Sequence, residues 1–168
     1  MTSSPRIGML MGSLSDKPVL EAAAGIFTEF GVPFEWRVLS AHRTPTQTHD
    51  YVSSAEERGI RILICAAGMA AHLAGVAASG TTLPVIGVPV AAALSGLDAL
   101  LATVQMPPGI PVATMGIGRA GAKNAALHAI QILALSDDGL RDKLIAHRAA
   151  QVEKVLASSQ ELQDSLVG

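Results

Sequence analysis

Two histidines occupy similar places in this sequence. His42 lies in "SAHRTP" (Ser40–Pro45), directly after the apolar run "FEWRVL", and His72 ends "GMAAH" (Gly68–His72), just past "IRILICA". Imidazole is the side chain that ordinarily changes charge near neutral pH, so such a pair suits proton transfer, one ring as carrier and the other as helper. Arg43 adjoins His42 and supplies a fixed cation whose planar fork fits a phosphate. A third polar cluster, "GSLSD" (Gly12–Asp16), leads into a helix-like stretch, so its backbone N–H groups with Ser13 and Ser15 can receive an anion. Asp16 cannot hold phosphate, but it can accept hydrogen bonds from ribose hydroxyls. Together these residues describe a ribose 5′-phosphate site with an acid–base pair beside it. The plainer alternatives are that Ser15 and Asp16 merely cap a helix, and that His72 is a satisfied core residue.

Competing signals are weaker. "GIGRAG" (Gly116–Gly121) matches the dinucleotide pattern G-x-G-x-x-G, but it follows the last strand-like run. No further strand comes after its helix to supply a ribose-binding acid, so its glycines are expected to serve a tight turn and close helix packing. His49, His128 and His147 fall inside helical stretches and read as structural or surface residues. Metal binding is not expected, because there is no His-x-x-x-His or Cys-x-x-Cys pair and carboxylates are sparse around the polar clusters. No acidic pair follows the first strand and no Asp ends the third, which excludes a phospho-receiver domain.

The elements that must position these groups are legible as alternating strand and helix signals. Strand-like runs cover Arg6–Met11, Phe34–Leu39, Ile60–Ala66, Pro84–Val90 and Pro111–Ile117, mostly continuous in apolar character, as parallel strands buried on both faces require. Ser15 with Pro18, and Thr44-Pro45 with Gln47 as a capping box, mark helix starts. The expected fold is α/β: a three-layer, doubly wound parallel sheet of flavodoxin-like order in one domain, with its core over about residues 6–135. In such sheets ligands bind beyond the carboxyl ends of the strands. Those ends are "GSLSD", "SAHRT", "GMAAH", "AAALSG" (Ala91–Gly96) and "GIGRAGAKN" (Gly116–Asn124), so the polar clusters should converge on one rim. A C-terminal helix, about Asp138–Ser158, puts Leu140, Leu144, Ile145, Val152, Val155 and Leu156 on one face, a stripe suited to a neighbouring subunit.

Composition narrows the classes. Charged residues are 15% and aromatics 3% of 168 residues, against 49% apolar, so the core must be built from small aliphatic side chains. A mean hydropathy of +0.41 is high for a lone subunit and points to a homo-oligomer. The net charge of −2 gives no nucleic-acid face. Cys65, without a partner, reads as a small buried residue in a reducing compartment, and "MTSSPRIGMLMG" has no export-signal pattern, so a cytoplasmic protein is expected. The stretch Ile62–Gly80 is long enough to span a bilayer, but its Ala/Gly-rich second half and His72 favour a strand, a glycine turn and a buried helix.

Taken together, "MGSLSD", "VLSAHRTP", "AAHLAG", "LPVIGVPV", "LSGLDALLATVQMPPGIPVAT" and "GAKNAAL" resemble the N5-carboxyaminoimidazole ribonucleotide mutase family of purine biosynthesis, in order, from about Ile7 to Leu135. The resemblance implies a flavodoxin-like fold, a homo-octamer, and no metal or organic cofactor. It also implies transfer of a carboxyl group from an exocyclic nitrogen to a ring carbon, through the free amine and trapped CO2. By motif match Ser13, Asp16 and Arg43 would hold the ribose phosphate, with Ser15 and Ser40 nearby and Gly68 and Leu73 also against substrate. His42 would carry the proton and His72 would line the CO2 pocket. Arg43 and His72 point to the mutase branch, since the direct carboxylase branch tends to carry Lys after the first His and to lack the second. The sequence departs from the family at Lys17, where Trp is usual, and at Ala66, Met69 and Ala74, which replace Gly, Gly and Pro. A lyase carboxylating the free amine, or a non-catalytic nucleotide-monophosphate binder, would use nearly the same residues.

Overall fold

The most apolar runs become the middle of a sheet, where strands covered on both faces need no polar side. The computed structural model describes residues 4–166. In chain order the elements are β1 (Ile7–Met11), α1 (Lys17–Phe30), β2 (Phe34–Val38), α2 (Pro45–Ser53), β3 (Ile62–Gly68), α3 (Leu73–Ser79), β4 (Val85–Val90), α4 (Leu97–Val104), β5 (Ala113–Thr114), α5 (Gly118–Leu133) and α6 (Asp138–Ser165). The five strands are parallel in the order β2-β1-β3-β4-β5, the flavodoxin-like order. β1 and β4 are buried along their whole length and β3 over its first five residues, whereas β2, at the edge, is half-buried and then exposed. The stretch Ile62–Gly80 is β3, a turn and α3, and no helix among the described residues is long and apolar enough to cross a membrane.

The chain divides into two compact units between Ala129 and Ile130. In the first, Leu10, Leu63 and Cys65 of the sheet pack with Val52, Leu73, Ala74 and Ala77 of α2 and α3, all buried. Each buried Leu or Val contributes roughly 1.5–3 kcal/mol, so the sheet centre fixes the strand ends from which the site loops leave. Cys65 is part of this core, and burial pushes its thiol up to about 12, which makes it unreactive.

β3 begins at Ile62 and ends at Gly68, two residues later than expected at each end, and other element ends and caps differ as well. β5 is two residues long, not Pro111–Ile117: it pairs with β4 only at Ala113 and Thr114, and Pro111 has no N–H to extend the ladder. Ser13, not Ser15, is the capping residue of the first loop. It caps a single 3-10 turn (Leu14–Asp16) in a capping box with Asp16, and α1 then starts at Lys17 with Pro18 in its first turn. Thr44 precedes α2 but makes no side-chain cap, because its Oγ1 accepts from Ser40 N at 2.8 Å and donates to Ser40 O at 3.0 Å. The hydroxyl tightens the loop instead of the helix.

The second unit is dominated by α6, which runs to Ser165, past the expected Ser158. Asp137 caps it, accepting from Leu140 N at 3.2 Å, and Arg141 pairs with Asp138 at 3.0 Å. Of the expected stripe Leu140 is buried and Leu144 half-buried. Ile145, Val152, Val155 and Leu156 are exposed.

Candidate active site

Four loops at the carboxyl ends of β1, β2, β3 and β4 enclose a cavity of about 650 Å³. It lies over the junction of β1 and β3, where the strand order reverses, the place at which open α/β sheets bind ligands. Ser13, Ser15, Asp16, Ser40, His42, Arg43, Gly68, His72 and Leu73 all line it, so every candidate residue from the sequence is brought to one place. The expected fifth contributor, Gly116–Asn124, is not among the lining residues. A Cβ at Gly121 would overlap the Gly116 carbonyl, so this glycine serves close packing, and Arg119 donates from Nη1 to the Pro18 carbonyl at 2.6 Å.

The loop after β1 closes on itself, with Asp16 N–H also donating to Ser13 O at 3.1 Å. Ser13 Oγ accepts from Ser15 N–H at 3.3 Å and from Ser15 Oγ at 3.0 Å, which leaves its own proton to donate. Asp16 Oδ2 accepts from Ser13 N–H at 3.1 Å, closing the turn. Burial raises the Asp16 carboxyl above its ordinary range. Hydrogen bonds from Ser13 and Ser15 and the charge of Arg43 pull the other way but do not cancel the desolvation.

The loop after β2 aims its two functional side chains through its own hydrogen bonds. Ser40 Oγ accepts from Arg43 N at 3.2 Å and from Nε at 3.4 Å, and Thr44 N–H donates to Ser40 O at 2.8 Å. Arg43 Nη2 donates to the Gly12 carbonyl at 2.6 Å, tying this loop to the one after β1 and leaving Nη1 for a ligand. His42 Nε2 lies 2.8 Å from His72 Nδ1, the rings nearly perpendicular at 84°. In such a contact one nitrogen donates and the other accepts, so the tautomers of the two rings are set jointly.

Beyond the histidines the wall is apolar and made of small residues: Ala67, Ala70, Leu73, Val90, Ala91 and Ala92. Ala70, Ala91 and Ala92 lie in strand ends expected on the rim, but apart from Leu73 none of these has a role assigned from sequence, because small aliphatic residues have no chemical signature of their own. The lining therefore combines polar groups (Ser13, Ser15, Asp16, Ser40 and Arg43) and the imidazole pair with short apolar side chains. Of the four departures from the family pattern only Met69 lines the cavity. It has φ of 56°, a left-handed conformation costing a non-glycine residue roughly 1–2 kcal/mol. Ala66 and Ala74 are buried, and Lys17 pairs with Glu21 at 3.1 Å and lies 5.7 Å over the Trp36 ring.

Comparison with known proteins gives the chain a family. The sequence matches the AIR carboxylase family model over residues 6–154, a span that contains all four site loops. The chain belongs to the AIR carboxylase family. Relatives within reach include N5-carboxyaminoimidazole ribonucleotide mutases of Pyrococcus abyssi (54% identical, covering 86% of this chain and 82% of that one) and Bacillus subtilis (52%, covering 94% and 98%). That of Vibrio parahaemolyticus is 51% identical and covers 95% and 99%. Among solved structures, PurE of Treponema denticola superposes with a TM-score of 0.85 at 27% identity, covering 94% of this chain and 98% of that one. The AIR carboxylase assignment thus spans fold and site loops together.

Proposed function

We infer that this chain converts N5-carboxyaminoimidazole ribonucleotide to 4-carboxy-5-aminoimidazole ribonucleotide, an isomerisation in purine biosynthesis. The observation that carries the chemistry is the 2.8 Å contact between His42 Nε2 and His72 Nδ1, two rings that line the same cavity as Arg43, Ser13 and the alanines at the carboxyl ends of β3 and β4. Ser13, Ser15 and Arg43 hold the phosphate and Asp16 the ribose hydroxyls, which leaves the imidazole ring of the nucleotide beside His42. The carbamate N–C bond breaks as His42 gives its proton to the exocyclic nitrogen, producing the amine and CO2. The alanine-lined wall, with Gly68 and Leu73, keeps CO2 next to the ring, so recombination is effectively unimolecular. Carbon 4 then attacks CO2, and the ring proton it loses returns to His42. Atoms balance, and one proton is lent and recovered. His72 holds the His42 ring and its tautomer.

His42→Asn tests this assignment. Asn keeps one hydrogen-bonding contact but cannot exchange a proton near neutral pH. Ribonucleotide binding should survive while turnover falls by ~10² or more, the pattern of a group needed only in the transition state. His72→Asn should lose less. An active His42→Asn enzyme, or one defective only in binding, would reject the role. Single-turnover assays with the N-carboxylated ribonucleotide and, separately, with the free amine plus bicarbonate distinguish isomerase from lyase by which substrate is converted faster, and binding without turnover on either substrate would mark a non-catalytic protein.

The same reading makes the chain a cytoplasmic homo-octamer. Its support is the set of exposed aliphatic side chains on α6, Ile145, Val152, Val155 and Leu156, and those on and before α4, Leu94, Leu97, Leu101 and Val104. Large aliphatic groups in that density are costly to leave in water.

A further inference from the structure

The loop between β3 and α3 carries more side chain than its backbone favours. Met69 has φ of 56°, a conformation glycine adopts freely and a methionine does not, having no short polar group to offset the Cβ clash. Met69 is nevertheless 63% exposed while it lines the cavity, which puts it on the cavity's solvent side. The turn is held there by Ala71 N–H to Met69 O at 2.9 Å and His72 N–H to Ala70 O at 2.8 Å. Strain of this kind persists where surroundings over-determine it, and it gathers at working sites. Three residues on, His72 meets His42, and the wall beside Met69 is the apolar Ala67, Ala70 and Val90–Ala92 side. A bulky apolar group on the solvent side of an apolar wall obstructs exchange with water.

We propose that Met69 is the cover of the CO2-holding part of the cavity and sets how often the carboxyl group is retained rather than lost to solvent. The proposal rests on the decarboxylation–recarboxylation reading above. Once the carbamate N–C bond has broken and His42 has given up its proton, two outcomes compete. Either carbon 4 captures CO2 and returns a proton to His42, or CO2 escapes, the amine remains, and His42 regains a proton from water. A side chain over the exit favours the first without touching the nucleotide phosphate. It acts on partition, not on binding.

The test compares wild type, Met69→Gly and Met69→Ala, each supplied with unlabelled N-carboxylated ribonucleotide in ¹³C-bicarbonate medium. Two readouts are followed: the ratio of ring-carboxylated product to free amine, and the ¹³C content of the product carboxyl. Both variants should shift toward free amine and label by roughly threefold or more, because retention is a proximity effect. Met69→Gly should also raise Tm by about 2 °C or more by relieving the left-handed strain, whereas Met69→Ala keeps a Cβ at the same φ and should not. A partition shift in both with a Tm gain in one shows that the thioether, not the turn, does the retaining. Equal partition in all three proteins overturns the cover, as does full label exchange in wild type. If wild type yields no ring-carboxylated product, the isomerase reading itself fails and the cover falls with it.

Discussion

Asp16 carries a cost in stability that its proposed role in binding would account for. Desolvation raises its carboxyl above the ordinary range. A raised acid is a stability cost once ionised: the unfolded chain gives up its proton at lower pH than the folded one, so folding loses stability as pH rises through the two values and keeps it below both. Asp16→Asn retains an oxygen to accept from Ser13 N–H. Its Tm should therefore equal or exceed that of wild type at neutral pH, with the margin shrinking on acidification. Affinity for the ribonucleotide should move oppositely, falling ~10-fold or more with loss of a charged acceptor. For wild type, affinity should fall on acidification from a pH above the usual Asp range. A variant that is less stable yet binds normally would contradict both signs. At this scale the sequence told a great deal. Ser13, Asp16, His42, Arg43 and His72 stood out because their chemistry is rare in an apolar chain. The alanine wall was invisible for the opposite reason, and the 2.8 Å meeting of two rings thirty residues apart needs the sheet to create it.

The elements place those residues through a few cross-links. The loop bearing His42 and Arg43 runs from β2 into α2, and the two are joined at their far ends. Tyr51 on α2 donates its hydroxyl to Glu35 Oε1 at 2.9 Å, and Arg58 approaches the same carboxylate at 3.5 Å while covering the Tyr51 ring at 4.4 Å. Burial and the Glu35 charge push the Tyr51 hydroxyl well up, so it remains a donor at any working pH. Tyr51→Phe keeps the ring under Arg58 and deletes only the bond. It should cost about 1–2 kcal/mol, lowering Tm by about 2–8 °C, with turnover much less affected than by His42→Asn. An unchanged Tm would make the cluster incidental. Strand and helix order could be read from periodicity and Pro/Gly punctuation, because a buried parallel strand and a capped helix each leave a local pattern. The shrinkage of β5 to two residues and the diversion of the Thr44 hydroxyl into the loop could not. Both depend on what neighbouring strands and loops offer, not on the local run.

For the whole molecule, low charge and a high aliphatic content leave apolar surface that the chain does not cover itself. Ile145, Val152, Val155, Leu156 and Leu162 of α6 are each more than half exposed. Truncation after Asp138 should give smaller or insoluble species, whereas the intact chain should sediment as one large oligomer. A sharp monomer peak for the intact chain would contradict this. The catalytic claim is tested most directly on the intact chain, treated with a chelator and given N5-carboxyaminoimidazole ribonucleotide without added metal, nucleotide or bicarbonate. The ring-carboxylated product should appear as the substrate disappears, in nearly equal amount and with little free amine. Accumulation of amine alone at the uncatalysed rate, or loss of all conversion on chelation, would contradict a proton-shuttling isomerase built from His42 and His72.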